Sequence, residues 1–379
     1  MNLATEPVSA ISEPESQTTA LPTMLVNIQF LRFAAAMLVV LYHSSSRIKS
    51  TGVEQGLFFD IFEAVGFAGV DIFFVISGFI MAYTTVDSRG FNSGLNFFKR
   101  RVARIYSGYW PFYFLAILLF AWTGSNYLAD APLWRSFILW PAPRPVIAVS
   151  WTLVYEMYFY ILFTLLISFA GSKRKSILII ALLATVAWAL HSHFVRHVYD
   201  PEFLDLMSYA EAYMTSPYLA EFFCGSLLAG WLSNKQTGAS WSWLIAGIVM
   251  FLAGGWINNG LFAGNIEQGY YVIWRVLIFG TASLFIVTGL VRLEYKNKTT
   301  ALRFSLAAGG ASYAIYLSHI LWIYAARHFG LYKALGQYSS WLVQLITLGF
   351  AAFILFYCIA HYRIVERPLH NLFKKWLGI

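Results

Sequence analysis

Arg32 and His43 stand 11 residues apart inside one apolar run. At 100° per residue this spacing is three turns plus about 20°, so the two share a helix face and lie roughly 16 Å apart along the axis. Ionisable side chains in apolar segments are costly, and a functional role is the default expectation. The pair offers a fixed cation near one end of a helix and a proton acceptor well above it. Asp71, in Gly-Val-Asp-Ile-Phe-Phe-Val-Ile-Ser-Gly (69–78), is a carboxylate among aromatic and aliphatic neighbours and needs a partner such as an arginine. Ser77 and Gly78 make a small-residue notch, read as close helix packing in preference to catalysis. Arg100 and Arg104 share a face at i and i+4, with Arg101 beside them. Three guanidinium groups there could grip phosphates with paired hydrogen bonds or serve as charge anchors at the membrane surface. Glu156, at the end of Ser-Trp-Thr-Leu-Val-Tyr-Glu (150–156), is expected at the height of His43, where a carboxylate could orient the ring or act as acid or base. His319, closing Tyr313-Ala-Ile-Tyr-Leu-Ser-His, is either a satisfied core histidine or part of the same chemistry. Arg275 is a weaker candidate of this kind.

The elements that must position these groups are membrane helices. Of 379 residues, 59% are hydrophobic and 12% charged, about half the charge of a soluble domain. The mean hydropathy is +0.62. A spanning helix needs about 20 mostly apolar residues. Candidate spans lie at 25–43, 66–85, 105–122, 151–170, 176–192, 217–233, 241–257, 271–291, 311–328 and 340–361. The expected fold is all-α, a polytopic integral membrane protein of about ten helices. With the N-terminus inside, the inner loops and C-terminal tail carry 17 Lys and Arg and the outer loops six. The positive-inside rule therefore predicts both termini in the cytoplasm.

Residues 1–22 are polar, hold Glu6, Glu13 and Glu15 without Lys or Arg, and lack the charged start and apolar core of a secretory signal. They are expected to form a disordered cytoplasmic tail, followed by a membrane domain over 23–365 and a short cytoplasmic tail over 366–379. Cys224 and Cys358 sit in apolar runs without a CxxC partner or His cluster, which argues against a metal site or disulfide framework. The net charge of +8 fits inner-loop bias and anionic lipid, with no nucleic-acid partner expected.

Taken together, these segments resemble the membrane acyltransferase 3 family, over about residues 25–370. The resemblance is carried by Arg32 followed by His43 and by the Gly-Val-Asp run at 69–78. Phe97-Phe-Lys-Arg-Arg-Val-Ala-Arg-Ile, Ser150-Trp-Thr-Leu-Val-Tyr-Glu, Ser312-Tyr-Ala-Ile-Tyr-Leu-Ser-His and Glu366-Arg-Pro continue it in the family's order. One departure is Ser107 where the family often has proline, with Pro111 four residues later, which bears on where the third span starts.

The resemblance implies a bacterial inner-membrane enzyme that O-acylates, usually O-acetylates, a surface or secreted polysaccharide or its lipid-linked precursor. It implies acyl-coenzyme A, usually acetyl-CoA, as donor, and essential roles for the arginine and histidine matching Arg32 and His43. Some members carry a periplasmic esterase-like domain, and this chain is expected to work without one. On that basis Arg100, Arg101 and Arg104 would hold donor phosphates, while Arg32 binds a phosphate or neutralises Asp71. His43 would act near the outer face as general base or as nucleophile, with Glu156 orienting or protonating it. Succinyl transfer is the competing chemistry. A transporter using the same charges as a proton relay would show inverted repeats and broken helices, which the sequence lacks. A non-catalytic scaffold leaves Arg32, His43 and Glu156 without a purpose.

Overall fold

The computed structural model describes residues 24–50, 52, 56–196, 206–233, 239–267 and 271–379. The expected N-terminal tail lies outside the described residues. Among them every regular element is helical. In chain order they are α1 Val26–Lys49, α2 Leu57–Val65, α3 Gly69–Thr84, α4 Phe91–Trp122 and α5 Trp151–Phe169. Then come α6 Arg174–His191, α7 Leu206–Met214, α8 Tyr218–Ser233 and α9 Trp241–Leu261. The chain ends with α10 Val272–Tyr295, α11 Leu302–His328, α12 Ser340–His361 and α13 Arg367–Leu377.

Nine helical runs among the described residues are long and apolar enough to cross a membrane, and the protein is a polytopic membrane protein. Expected spans and observed helices differ at several ends; besides the expected ninth span, whose helix starts at Leu302 and not at 311, three differences stand out. The second run begins at Leu57, where α2 leads through a tight turn at Gly66–Ala68 into α3. The third, α4, starts at Phe91 and runs 32 residues through Pro111, so the arginines lie inside the helix and not before it. The segment expected as the sixth span, 217–233, forms α8, which at 16 residues is shorter than any of the nine spanning runs.

What α8 lacks in length it recovers in contact. A Cβ added at Gly78 of α3 would sit 2.0 Å from the Phe222 carbonyl oxygen, and one at Gly225 of α8 would sit 2.2 Å from that of Val75. The two helices touch backbone to backbone through reciprocal glycines, and Ser226 donates to the Gly78 carbonyl at 3.1 Å. Lipid gives no hydrophobic drive for helix association, so such close approach is how membrane helices gain packing. The notch at Ser77-Gly78 is thus a helix crossing. Gly78→Val is expected to force α3 and α8 apart and destabilise the protein by about 1–3 kcal/mol. The check is the thermal unfolding midpoint in detergent, and an unchanged midpoint would show that the crossing carries little stability.

α1 is the central helix. Its first turn is tied down by Glu294 of α10, whose carboxylate accepts from the Val26 and Asn27 amides at 2.5 and 2.8 Å. Asn27 donates in turn to the Leu290 and Lys298 carbonyls. This is the basal end of α1. α11 runs parallel to α1, with Gly309 against Gln29 and His319 against His43.

The connection from α4 to α5 decides where the site lies. Instead of lying across the top of α4, it folds back down beside it. Tyr113, Tyr109 and Tyr106 donate to the Leu133, Ser136 and Ile138 carbonyls at 3.0, 2.8 and 2.9 Å. Trp110 donates to the Phe137 carbonyl and stacks on its ring at 4.9 Å. α5 therefore starts low, and its contacts fix the register: Phe97 lies against Tyr160 and Phe163, and Gly90 donates to the Ile167 carbonyl. That register brings Glu156 level with Arg104.

The expected C-terminal tail is a helix. α13 lies along the base of α4, with Phe373 against Trp110 and Lys99 donating to the Leu377 carbonyl at 3.0 Å.

Candidate active site

Sequence positions far apart converge on one cavity between α1, α3, α4, α5 and α11. Its walls include Arg32, Ser77, Arg101, Arg104, Glu156, Tyr160, Tyr313 and Tyr316. It holds about 980 Å³ of empty space, its mouth included.

Each polar wall group has a positioning contact. Arg32 donates to Gln29, one turn below it on α1, at 3.3 Å. Arg104 pairs with Glu366 at 2.6 Å, and Glu366 is fully buried in the π turn that joins α12 to α13. The same guanidinium faces the Tyr313 and Tyr362 rings. Arg101 lies beside the Phe97 and Tyr160 rings and 3.4 Å from the Thr84 hydroxyl. Glu156 accepts from the Tyr160 hydroxyl at 2.5 Å. Arg32 is within electrostatic reach of Arg104, Glu156 and Glu366. Three guanidinium groups thus face two carboxylates, Glu156 and Glu366, leaving one positive charge over. A cavity with an excess cation favours an anion, and planar guanidinium forks suit phosphate or carboxylate.

The sequence expectations separate here into those brought together and those set apart. Arg100 does not belong with Arg101 and Arg104: it is exposed, and it is absent from the cavity wall. The i, i+3 pair Arg101 and Arg104 shares the inward face instead. Asp71 is not neutralised by Arg32. It is fully buried and paired with Arg275, whose Nε and Nη2 donate at 2.7 to 3.2 Å, while Nη2 also reaches the Phe67 carbonyl. Glu221 of α8, also buried, acts electrostatically on this pair. The ion pair ties α3 to α10 on the side of α3 away from the cavity, which leaves Arg32 for the cavity itself. Ser77 lines the cavity beside the helix crossing.

Glu156 does not sit at the height of His43, because α5 begins low. His43 instead meets His319: His43 Nδ1 lies 3.2 Å from His319 Nε2, with ring centroids 5.0 Å apart. His43 Nδ1 is also 3.0 Å from the Val39 carbonyl. The pair sits above the cavity without lining it. Tyr316 stands between, on the cavity wall and with its ring 5.9 Å from that of His319. Its hydroxyl is held by Thr152 and the Val149 carbonyl at 3.1 and 3.2 Å. Tyr160, Tyr313, Gln29 and Glu366 are site residues that sequence reasoning missed. Glu366, Tyr313 and Tyr160 were marked only by their place in or one turn beyond a charged motif.

The sequence profile of the acyltransferase 3 family, an acyltransferase domain, matches residues 25–361. The chain belongs to this family. It is therefore a membrane acyltransferase, as the resemblance of its motifs implied. The matched region begins at α1 and ends with α12, so it contains every wall of the cavity and both histidines. The chain is also 27% identical over 324 residues to the exopolysaccharide production protein ExoZ of Rhizobium meliloti (strain 1021), covering 80% of this chain and 90% of that protein. No solved structure matches the chain significantly.

Proposed function

We propose that this acyltransferase moves an acetyl group from acetyl-CoA to a sugar hydroxyl of an exopolysaccharide or its lipid-linked precursor, in a bacterial inner membrane. The observation that carries this reading is the convergence of Arg32, Arg101 and Arg104 on one cavity, with Tyr316 and the histidine pair directly above it. The donor is a polyanion carrying its thioester on a long arm. Guanidinium groups at the base of the cavity suit its phosphates. The arm then runs toward Tyr316, and the thioester is delivered to His43, roughly 16 Å above Arg32 along α1. The positive-inside count makes the basal end cytoplasmic, the side where acyl-CoA is made. The acceptor class follows from the ExoZ relative, whose printed role is exopolysaccharide production.

Within this scheme Glu156 belongs to the donor end. It and Tyr160 form a hydrogen-bonded pair beside Arg101, and they shape the anion site without touching the reacting carbonyl. Arg100 is assigned no donor contact. The test is deletion of the gene followed by proton NMR of the surface and secreted polysaccharide. Loss of O-acetyl signals, restored by the wild-type gene, is the expected result. Unchanged acetylation would contradict the assignment, and loss of succinyl signals would reassign the acyl group.

A further inference from the structure

We propose that His319 is a positioning residue that, by accepting from His43 Nδ1 alongside the Val39 carbonyl, holds His43 in the one tautomer able to act as a base; the proposal rests on the acyl-transfer reading above. A carbonyl oxygen only accepts hydrogen bonds, so the 3.0 Å contact with the Val39 carbonyl requires His43 Nδ1 to carry a hydrogen. The same Nδ1 faces His319 Nε2 at 3.2 Å. That nitrogen then presents its lone pair, since a hydrogen on each would clash, and the His319 hydrogen sits on its own Nδ1. His43 Nε2 is left with a free lone pair.

His319 is fully buried in α11, a helix packed along the whole length of α1. Its ring is fixed between His43 and Tyr316. The other groups facing His43 are the Tyr42 ring, whose hydroxyl bonds Glu267, and the charge of Arg47. Glu156 is not among them. The usual orienting carboxylate of a catalytic histidine is thus replaced by a neutral imidazole and a carbonyl.

The consequence is chemical. The acceptor hydroxyl oxygen attacks the thioester carbonyl carbon as its proton passes to His43 Nε2. The carbon–sulfur bond breaks with its electron pair on sulfur, and the thiolate takes that proton back from Nε2. The products are an ester and a free thiol, with His43 as it began. While the ring is doubly protonated, its Nδ1–H is shared by the Val39 carbonyl and His319 Nε2. Neutral acceptors stabilise this imidazolium less than a carboxylate would, so the proton is readily released to the leaving thiolate.

The test compares His319→Leu, which fills the site without an acceptor, with His319→Gln, whose side-chain oxygen can accept from His43 Nδ1. Both are purified in detergent and assayed with acetyl-CoA and chemically de-O-acetylated polysaccharide from the strain that encodes the protein. His319→Leu is expected to lower kcat about 10- to 100-fold with both KM values within about twofold, the loss of one hydrogen bond to a charged group. His319→Gln is expected to stay within about fivefold of wild type. A purely structural role for His319 predicts that Leu is tolerated as well as Gln, and that result would overturn the proposal. The second readout does not depend on transfer. In ¹⁵N-histidine spectra of the wild-type protein, assigned with His43→Gln, His43 is expected as the Nδ1–H tautomer. An Nε2–H tautomer would overturn the proposal. Absence of acetyl transfer by the wild type, with the Nδ1–H tautomer present, would instead overturn the acyl-transfer reading and leave the geometry standing.

Discussion

His43→Ala is expected to abolish acyl transfer while the protein remains inserted and monodisperse. A general base contributes roughly 10²–10⁴ in rate. Here it also serves as the acid that releases the thiolate, so the loss should fall at the upper end of that range. The fold should survive because His43 is only half-buried and the contacts that set α1 in place lie elsewhere, at Glu294 and along α11. The measurement is kcat for label transfer from acetyl-CoA, with size-exclusion chromatography as the control. A variant keeping a tenth or more of wild-type activity would remove His43 from the chemistry.

Substituting Lys for Arg32, Arg101 or Arg104 is expected to raise the donor KM about 10- to 150-fold, with little change for the acceptor. Lysine keeps the charge but loses the planar fork, and a hydrogen bond to a charged group is worth roughly 1.5–3 kcal/mol. Arg100→Lys is the matched control, one residue along the same helix and exposed. If Arg101 and Arg104 act only as topology anchors, their Lys variants should behave like Arg100→Lys, since the positive-inside rule counts charge and not shape. Unchanged donor kinetics in Arg32→Lys, Arg101→Lys and Arg104→Lys would empty the cavity of its proposed ligand.

What the sequence revealed and what it hid follow from the range of each physical signal. Span positions and the need of Asp71 for a cation are local properties, and they were readable. The identity of that cation was not, because Arg275 lies 204 residues away and only the packing of α3 on α10 selects it over Arg32. The height of Glu156 was misjudged for a reason outside its own helix. The hydrogen bonds of Tyr106, Tyr109 and Tyr113 draw the preceding connection downward, so the start of α5 does not mark the membrane edge. The arginine triplet was read by helical periodicity alone, which allows Arg100 with Arg104 or Arg101 with Arg104. Tyr160 and Tyr313, whose rings flank the guanidinium groups, made the choice. Glu366 carried a motif but no visible role until the turn after α12 placed it behind Arg104.

One purified membrane protein is expected to suffice for passing an acetyl group from acetyl-CoA to a sugar hydroxyl. The most direct measurement uses the purified wild-type chain in liposomes, [¹⁴C]acetyl-CoA and chemically de-O-acetylated polysaccharide from the encoding strain. The expected result is label on the polymer that mild alkali removes as an ester, absent with His43→Ala and undiminished with Arg100→Lys. No polymer-bound label, or label that resists mild alkali, would contradict it.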